Sequence, residues 1–449
     1  MLKRKIDDYI RNYFNTTDSA LLITGARQIG KTYSIRQFGK LFKSFVEINF
    51  VDMPQAVDLL KGATSSKDLL MRISAISNEP LIKGETLIFF DEVQCCPEIV
   101  TAIKFLVDEG SYRYILSGSL LGVELNDLRS EPVGYMGIKE MYPLDFEEFI
   151  SCVGISDIII DSLRDAWKKS VAVDDFVHRK MMELFRLYLV VGGMPAAVCK
   201  YIDTNNLQEV MTVQRDILSL YKRDIAKYDP DNKLYIEEIF NLIPPELNAK
   251  NKRFVLKSLN EHAKFSRLEY SFLWLINAGV ALPVYNVEEP KTPLLLARSR
   301  NLFKLFQSDI GLLACQYADG IQLRIISGDK DINYGSIYEN AVAQEFVAHS
   351  IVPYYYNNKK RGELDFVVEL NGKVLPIEVK SGKDYEVHRA LSNVLDCGEY
   401  DLQKAIVFCN DNLHVDGKIV YAPVYMAMFI EKDFSAPTYY KIDLAGLTD

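Results

Sequence analysis

Residues 19–34 read Ser19-Ala-Leu-Leu-Ile-Thr-Gly-Ala-Arg-Gln-Ile-Gly-Lys-Thr-Tyr-Ser34, and this stretch decides the fold. It contains Gly25-x-x-x-x-Gly30-Lys31-Thr32, the spacing G-x-x-x-x-G-K-[ST] of a phosphate-binding loop. The apolar run Leu21-Leu22-Ile23 predicts a buried strand before the loop, and Thr32 to Phe38 predicts a helix after it. The glycines permit backbone angles at which successive N–H groups turn inward on a phosphate, and the helix N-terminus adds partial positive charge. Gly25, Ala26, Arg27, Gln28, Ile29, Gly30, Lys31, Thr32 and Tyr33 are therefore the expected nucleotide cradle. Lys31 would reach the β- and γ-phosphates, and Thr32 would hold Mg²⁺. A chance glycine-rich turn is the competing reading, and four fixed positions in a strand–loop–helix context weigh against it.

Working outward, Ile6 to Phe14 predicts a short amphipathic helix, and Ser44-Phe-Val-Glu-Ile-Asn-Phe50 alternates as a strand does. Thr86-Leu-Ile-Phe-Phe-Asp-Glu92 is four apolar residues ending in two acids. That is a Walker B strand, apolar because parallel sheets are covered on both faces. Asp91 is expected to bind Mg²⁺ indirectly or through water, and Glu92 to orient the attacking water. Tyr112 to Ser119 predicts another strand, at whose end Ser117 or Ser119 could meet the γ-phosphate or that water. No Asn-Lys-x-Asp guanine reader occurs, so ATP is the expected nucleotide.

Five blocks together resemble a prokaryotic AAA-type ATPase family with a C-terminal region of undefined function. They are Gly25-Ala-Arg-Gln-Ile-Gly-Lys-Thr32, Phe90-Asp-Glu-Val-Gln94, Leu116-Ser-Gly-Ser119, Tyr142-Pro-Leu-Asp-Phe-Glu-Glu-Phe149 and Gly192-Gly-Met-Pro195. The resemblance implies an ATP hydrolase with catalytic Lys31 and Glu92. The family commonly has Gly-Arg ahead of the Tyr-Pro-Leu block, where this chain has Gly134-Tyr135. Tyr135 cannot act as a charge-stabilising finger; Arg129 lies nearby.

Length and composition set the frame. At 449 residues the chain predicts two to four domains of about 100–200 residues each. It is 49% hydrophobic and 25% charged with a net charge of −9, so the whole surface is not a polyanion binder. Seven cysteines, an odd number without a C-x-x-C pair, argue for reduced thiols and a cytoplasmic location. Five scattered histidines suggest no zinc site. The N-terminus lacks an apolar signal core, and no apolar run approaches the roughly 18 residues of a membrane span.

The expected division is a core at 1–160, a helical lid at 161–230, a winged helix at 231–325 and a final α/β domain at 326–449. Helical spacing runs from Ile158 to Lys200, broken at Gly192-Gly193, and again from Leu207 to Tyr228. Arg215, Lys222 and Arg223 are candidate phosphate contacts from this lid, although charge on a helix is more often a solvated face. Three helices follow: Leu234 to Ile243 ended by Pro244-Pro245, Arg253 to Asn260, and Arg267 to Ala278 capped by Gly279. With a strand at Val280 to Val287 that opens a hairpin, they suggest a winged helix, as the family resemblance also implies. Between Lys250 and Lys304 ten Lys or Arg face four Glu, a net +6, the charge expected of a DNA-contacting face or a protein-docking module.

The second informative stretch is Arg361-Gly-Glu-Leu-Asp-Phe-Val-Val-Glu-Leu-Asn-Gly-Lys-Val-Leu-Pro-Ile-Glu-Val-Lys380. Asn371-Gly372 between apolar runs predicts a two-residue type I′ hairpin, which fixes the register. Leu370 then opposes Lys373, Asp365 opposes Glu378, and Glu363 opposes Lys380. Facing carboxylates repel, so something positive is expected between them, with a divalent cation the natural candidate. This is the D…E-x-K arrangement of the restriction-endonuclease-like superfamily, which the stretch resembles. The resemblance implies metal-binding Asp365 and Glu378, a catalytic Lys380 and a helical acid at Glu339. A purely structural neutralisation by Lys380 is the alternative. The expected whole is an α/β protein: an AAA-like P-loop NTPase with a parallel sheet core, helical lid, winged helix and restriction-endonuclease-like C-terminal domain. It would be an ATPase whose nucleotide state regulates the C-terminal modules on DNA, or an ATP-gated switch for a protein or DNA partner with a silent nuclease-like domain. The oligomeric state is open.

Overall fold

Five strands carry the first half: β1 (Ala20–Thr24), β2 (Ser44–Asn49), β3 (Thr86–Asp91), β4 (Arg113–Ser117) and β5 (Met136–Glu140). The computed structural model describes residues 2–61, 63, 65–118, 134–228, 233–249, 252–259, 265–432 and 442. All five strands run parallel in the order β2-β3-β4-β1-β5. Leu21 and Ile23 face one apolar cluster while Ala20 and Leu22 face another, because alternate residues point to opposite faces and helices cover both. β4 lies between β1 and β3. The loop leaving β1 and the acids ending β3 therefore open into one crevice at the carboxyl ends of the strands, where open α/β sheets bind ligands. Ser119 and Arg129 lie outside the described residues.

The region expected to form a lid is helical as the spacing predicts: Asp157–Lys169, Asp175–Val191, Pro195–Thr204 and Leu207–Tyr228. Gly192, at φ +70°, ends the second of these. The next segment differs from expectation in two places. Pro244-Pro245 does not end its helix, which runs Lys233–Asn248 with both prolines inside. Of the expected helix 253–260, only a short 3₁₀ turn, Leu256–Ser258, is seen among the described residues. The third helix, Phe265–Asn277, ends before Gly279 at φ +71°.

The largest revision concerns the hairpin after it. β6 (Ala281–Val287) and β7 (Arg298–Gln307) pair with each other, and β6 also pairs in parallel with β8 (Tyr354–Asn358), Tyr285 lying opposite Tyr354. The remaining strands are β9 (Gly362–Leu370), β10 (Lys373–Val379), β11 (Ala405–Cys409), β12 (His414–Asp416) and β13 (Ile419–Pro423). Together they form one eight-stranded mixed sheet, β12-β13-β11-β10-β9-β8-β6-β7. The hairpin read as a wing is thus an edge of the C-terminal sheet, and a boundary at 325 cuts through that sheet's strand order instead of falling between domains. Backbone pairing decides this: β8 would otherwise present bare N–H and C=O groups along its outer edge.

Between the halves lies the helix Gly335–Ala348, buried along its length from Ser336 to Phe346. Its polar side chains link its neighbours. Asn340 exchanges two hydrogen bonds with the backbone of Gln307, Gln344 accepts from Ile310 N–H and donates to the Tyr188 hydroxyl, and Glu345 accepts from Phe146 N–H. One apolar cluster runs from Ile23 and Ile29 through Tyr188 to Phe366 and Phe408, so the two sheets share a core. No helix among the described residues is long and apolar enough to cross a membrane.

Candidate active site

The phosphate loop joins β1 to the helix Lys31–Gly39. Gly25 sits at φ +136°, and a Cβ there would stand 2.2 Å from the carbonyl oxygen of Met141, so the turn admits no side chain. Gly30, at φ +94°, caps the helix. The Lys31 ammonium is folded onto the loop, donating to the carbonyls of Gly25 (2.9 Å) and Ala26 (2.8 Å). Burial lowers its pKa to about 8, against the opposing pull of Glu92 and Asp91. A lysine so placed is short of anionic partners, which a triphosphate supplies.

Behind it Thr32 Oγ1 donates to Asp91 Oδ2 at 3.0 Å, joining the loop to β3. Asn49 Nδ2 donates to the same oxygen at 3.2 Å, and the Ser117 hydroxyl donates to Asp91 Oδ1. Burial pushes the Asp91 carboxyl up. Ser117 is thus turned to Asp91, at the bottom of the crevice. Glu92 occupies left-handed backbone (φ 56°), and its carboxylate is held by the side-chain amide of Gln94. Such backbone in a non-glycine residue costs on the order of 1 kcal/mol and is found where geometry serves a site.

A cavity of about 620 Å³ opens over these groups, a size that suits a nucleotide. Arg27, Gln28, Gly30, Lys31, Thr32, Tyr33 and Glu92 are in its lining, and so are the apolar Leu2, Pro195, Ala196 and Leu220. The lid cations Arg215, Lys222 and Arg223 do not line it. Arg215 pairs with Asp319, and the lid helix Leu207–Tyr228 instead presents Leu220 to the cavity and Asp224 to Arg27 at 2.8 Å. Sequence reasoning missed Arg4, which is nearly buried. It donates to the loop carbonyl of Ile29 (3.0 Å) and to that of Tyr142 (2.8 Å), and pairs with Glu148 at 3.0 Å. Nothing local marks such a residue, because its partners lie 25 to 144 positions away.

In the C-terminal sheet the Asn371-Gly372 hairpin has the predicted register: Leu370 opposes Lys373 and Phe366 opposes Ile377. Asp365 and Glu378 follow, but the ladder stops because Asp365 Oδ2 takes the N–H of Val379 (2.9 Å). Lys380 lies 3.0 Å from Glu378 rather than facing Glu363, which pairs with Asn357 on β8. Two lysines that the motif does not contain enter the cluster. Lys304, fully buried on β7, is 3.7 Å from Glu339 and 2.9 Å from Glu363; Lys252 also pairs with Glu339. Burial, then Asp365, pushes Glu378 well above the carboxylate range. Burial would also raise Asp365, but Lys304, Lys252 and Lys380 overcome it and hold the carboxyl below its ordinary value. Burial, then Asp365, pushes the Glu339 carboxyl up as well, and three ammonium groups already face these carboxyls. The donor set does not fit a divalent cation without displacing a lysine. Among the described residues, the only three acid, histidine or cysteine side chains whose ligand atoms lie within 4.8 Å of one another are Asp145, Glu345 and His349.

Residues 17–150 match an AAA domain. Residues 182–322 and 334–426 match two domains of unknown function, DUF8612 and DUF4143. Among curated proteins no match is found. Similar solved structures include a Walker-type ATPase of Pyrococcus abyssi (14% identity, 70% of this chain and 96% of that one, TM-score 0.41). The ORC1 protein of Aeropyrum pernix, solved in complex with DNA, aligns at 12% identity over 73% of this chain and 93% of that one, TM-score 0.25. PCH-2 of C. elegans aligns at 12% identity over 48% and 64%, TM-score 0.24. The AAA-domain match spans both the phosphate loop and the Walker B strand, and it supports a nucleotide-binding ATPase.

Proposed function

We propose that the chain binds Mg·ATP in the cavity over Gly25–Thr32 and hydrolyses it, and that the C-terminal half responds to the nucleotide state. The observation that carries this is the Thr32–Asp91 hydrogen bond beside a cavity lined by Thr32, Lys31 and Glu92. A hydroxyl and a carboxylate in contact are the hard oxygen donors Mg²⁺ uses, directly or through water. When bound, the ion neutralises charge developing on the phosphate oxygens. Lys31 exchanges its loop carbonyls for phosphate oxygens, the loop N–H groups hold the β-phosphate, and Glu92, fixed by Gln94, orients the attacking water. Leu2, Pro195, Ala196 and Leu220 offer an apolar surface for the base.

Two contacts favour coupling to the rest of the chain. Arg27 is held by Asp224 and, through its carbonyl, by the Tyr221 hydroxyl (3.0 Å), both on the lid helix. Gly279, at the entry to β6, packs on Ala26 so closely that a Cβ there would be 3.0 Å from its nitrogen. Movement of the loop therefore reaches the C-terminal sheet directly. Glu92→Gln tests the assignment: ATP should still bind while hydrolysis falls by about 10²-fold or more. Hydrolysis at the wild-type rate would remove Glu92 from the role.

For the C-terminal module, the lysine-filled carboxylate cluster favours a docking platform for a DNA or protein partner over a nuclease. Mixed with DNA and Mg²⁺, with or without ATP, the protein should leave the DNA intact. Cleavage abolished by Lys380→Ala would establish the opposite reading.

A further inference from the structure

Asp145, Glu345 and His349 meet where the two halves join, away from the nucleotide cavity. Asp145 caps the helix Phe146–Cys152 of the first half; Glu345 and His349 lie one turn apart on, and just after, the buried helix Gly335–Ala348. All three side chains are at most 6% exposed. Each is held from behind by a backbone group. Asp145 Oδ1 accepts the N–H of Glu148 (2.8 Å), Glu345 Oε1 accepts the N–H of Phe146 (2.7 Å), and His349 Nδ1 lies 2.8 Å from the carbonyl oxygen of Ile430. That leaves Asp145 Oδ2, Glu345 Oε2 and His349 Nε2 converging, with 3.3 Å between the aspartate and the imidazole and 3.9 Å between the imidazole and the glutamate. Glu345 Oε2 has no hydrogen-bond partner although it is buried.

We propose that these three atoms form a site for a divalent transition ion of the zinc class, clamping the two halves together. Backbone partners behind each ligand are how metal sites fix a histidine's tautomer and its orientation. A tetrahedral ion about 2.0–2.1 Å from its ligands sets them roughly 3.3–3.4 Å apart; the aspartate–imidazole distance of 3.3 Å already matches, and the imidazole–glutamate distance of 3.9 Å needs a small closure. One imidazole and two carboxylates suit Zn²⁺, Co²⁺ or Mn²⁺ better than Mg²⁺. The Lys5 ammonium now stands in for the cation, 2.8 Å from Asp145 Oδ2, 2.7 Å from Glu147 Oε2 and 3.5 Å from His349 Nε2. Its side chain is 44% exposed. A cavity of about 430 Å³ lined by Lys5, Asp145, Glu148 and His349 gives it room to withdraw and gives an ion a way in. In the Asp365–Glu378 cluster, by contrast, Lys304 is fully buried.

Titrating the nucleotide-free protein with Co²⁺ tests the site. One ion per chain should bind, with the visible absorption of a tetrahedral site and no thiolate charge-transfer band; Zn²⁺ should compete and raise the melting temperature. His349→Ala and Glu345→Gln should each weaken binding at least tenfold, and Lys5→Met, which removes the resident cation from a half-exposed position, should tighten it. Circular dichroism establishes that each variant folds. If both the wild type and Lys5→Met fail to bind one ion, or if binding survives His349→Ala or carries the thiolate band, Lys5 is a permanent ion-pair partner and the metal site does not exist.

Discussion

The hydroxyls of Thr32 and Ser117, on two separate elements, converge on the carboxylate of Asp91, on a third. Residues placed by a local pattern were legible: the spacing of Gly25, Gly30, Lys31 and Thr32 needs no tertiary information, nor does an apolar run ending in Asp91 and Glu92. Arg4, Lys304 and Asp309 were not, because each acts on groups far along the chain. Arg4 supports a prediction. Arg4→Ala leaves Glu148 buried without its ion-pair partner, which costs about 3–5 kcal/mol. The melting temperature should fall by many degrees, and more than in Arg36→Ala, whose salt bridge with Glu47 is exposed. Asp309 supports a prediction in pH. Fully buried beneath the Gly192-Gly193 turn, it accepts the N–H groups of Gly193 (2.6 Å) and Leu312 (2.9 Å), yet burial raises its pKa to about 6. The folded state therefore holds this proton more tightly than the unfolded chain. Its contribution to stability is complete below about pH 4 and lost as pH rises through 6. As pH rises from 4 to 7, the melting temperature of the wild type should fall relative to that of Asp309→Asn; a relative rise would contradict the assignment.

Among elements, strands of the first sheet and the lid helices were legible from period and punctuation. The Asn371-Gly372 hairpin was legible to the residue, because a two-residue turn leaves one register open. The helix Lys233–Asn248 misled, since two prolines ordinarily stop a helix, and here packing carries it past them. The Gly192-Gly193 turn shows what fixes an element in place. A Cβ on Gly193 would lie 2.0 Å from the carbonyl oxygen of Leu144, while Gly193 O accepts the N–H of Leu144 (2.7 Å). Gly193→Ala must push apart the lid and the segment before the helix Phe146–Cys152. It should destabilise the chain by several kcal/mol, on the order of an overpacked core, as read by urea unfolding. A change under about 0.5 kcal/mol would show that the turn is looser than this geometry.

At the scale of the whole molecule, the division into four successive modules gives way to two sheets on a shared core. Parallel pairing of β6 with β8 joins residues some seventy positions apart, and pairing at that distance leaves no local trace in a single sequence. The consequence is testable by fragments. Residues 326–449 alone lack β6, β7 and Lys304; they should fail to show a cooperative unfolding transition, whereas a free-standing domain would show one. The direct contacts of Asp224 and Gly279 with the phosphate loop give the nucleotide a short route to that second sheet. All of this depends on a triphosphate occupying the loop, and equilibrium binding of Mg·ATP measured by calorimetry on the wild type and Lys31→Ala tests it most directly. The expected result is one ATP per wild-type chain and at least a tenfold loss of affinity in the variant. No binding by the wild type, or equal affinity in both, would contradict it.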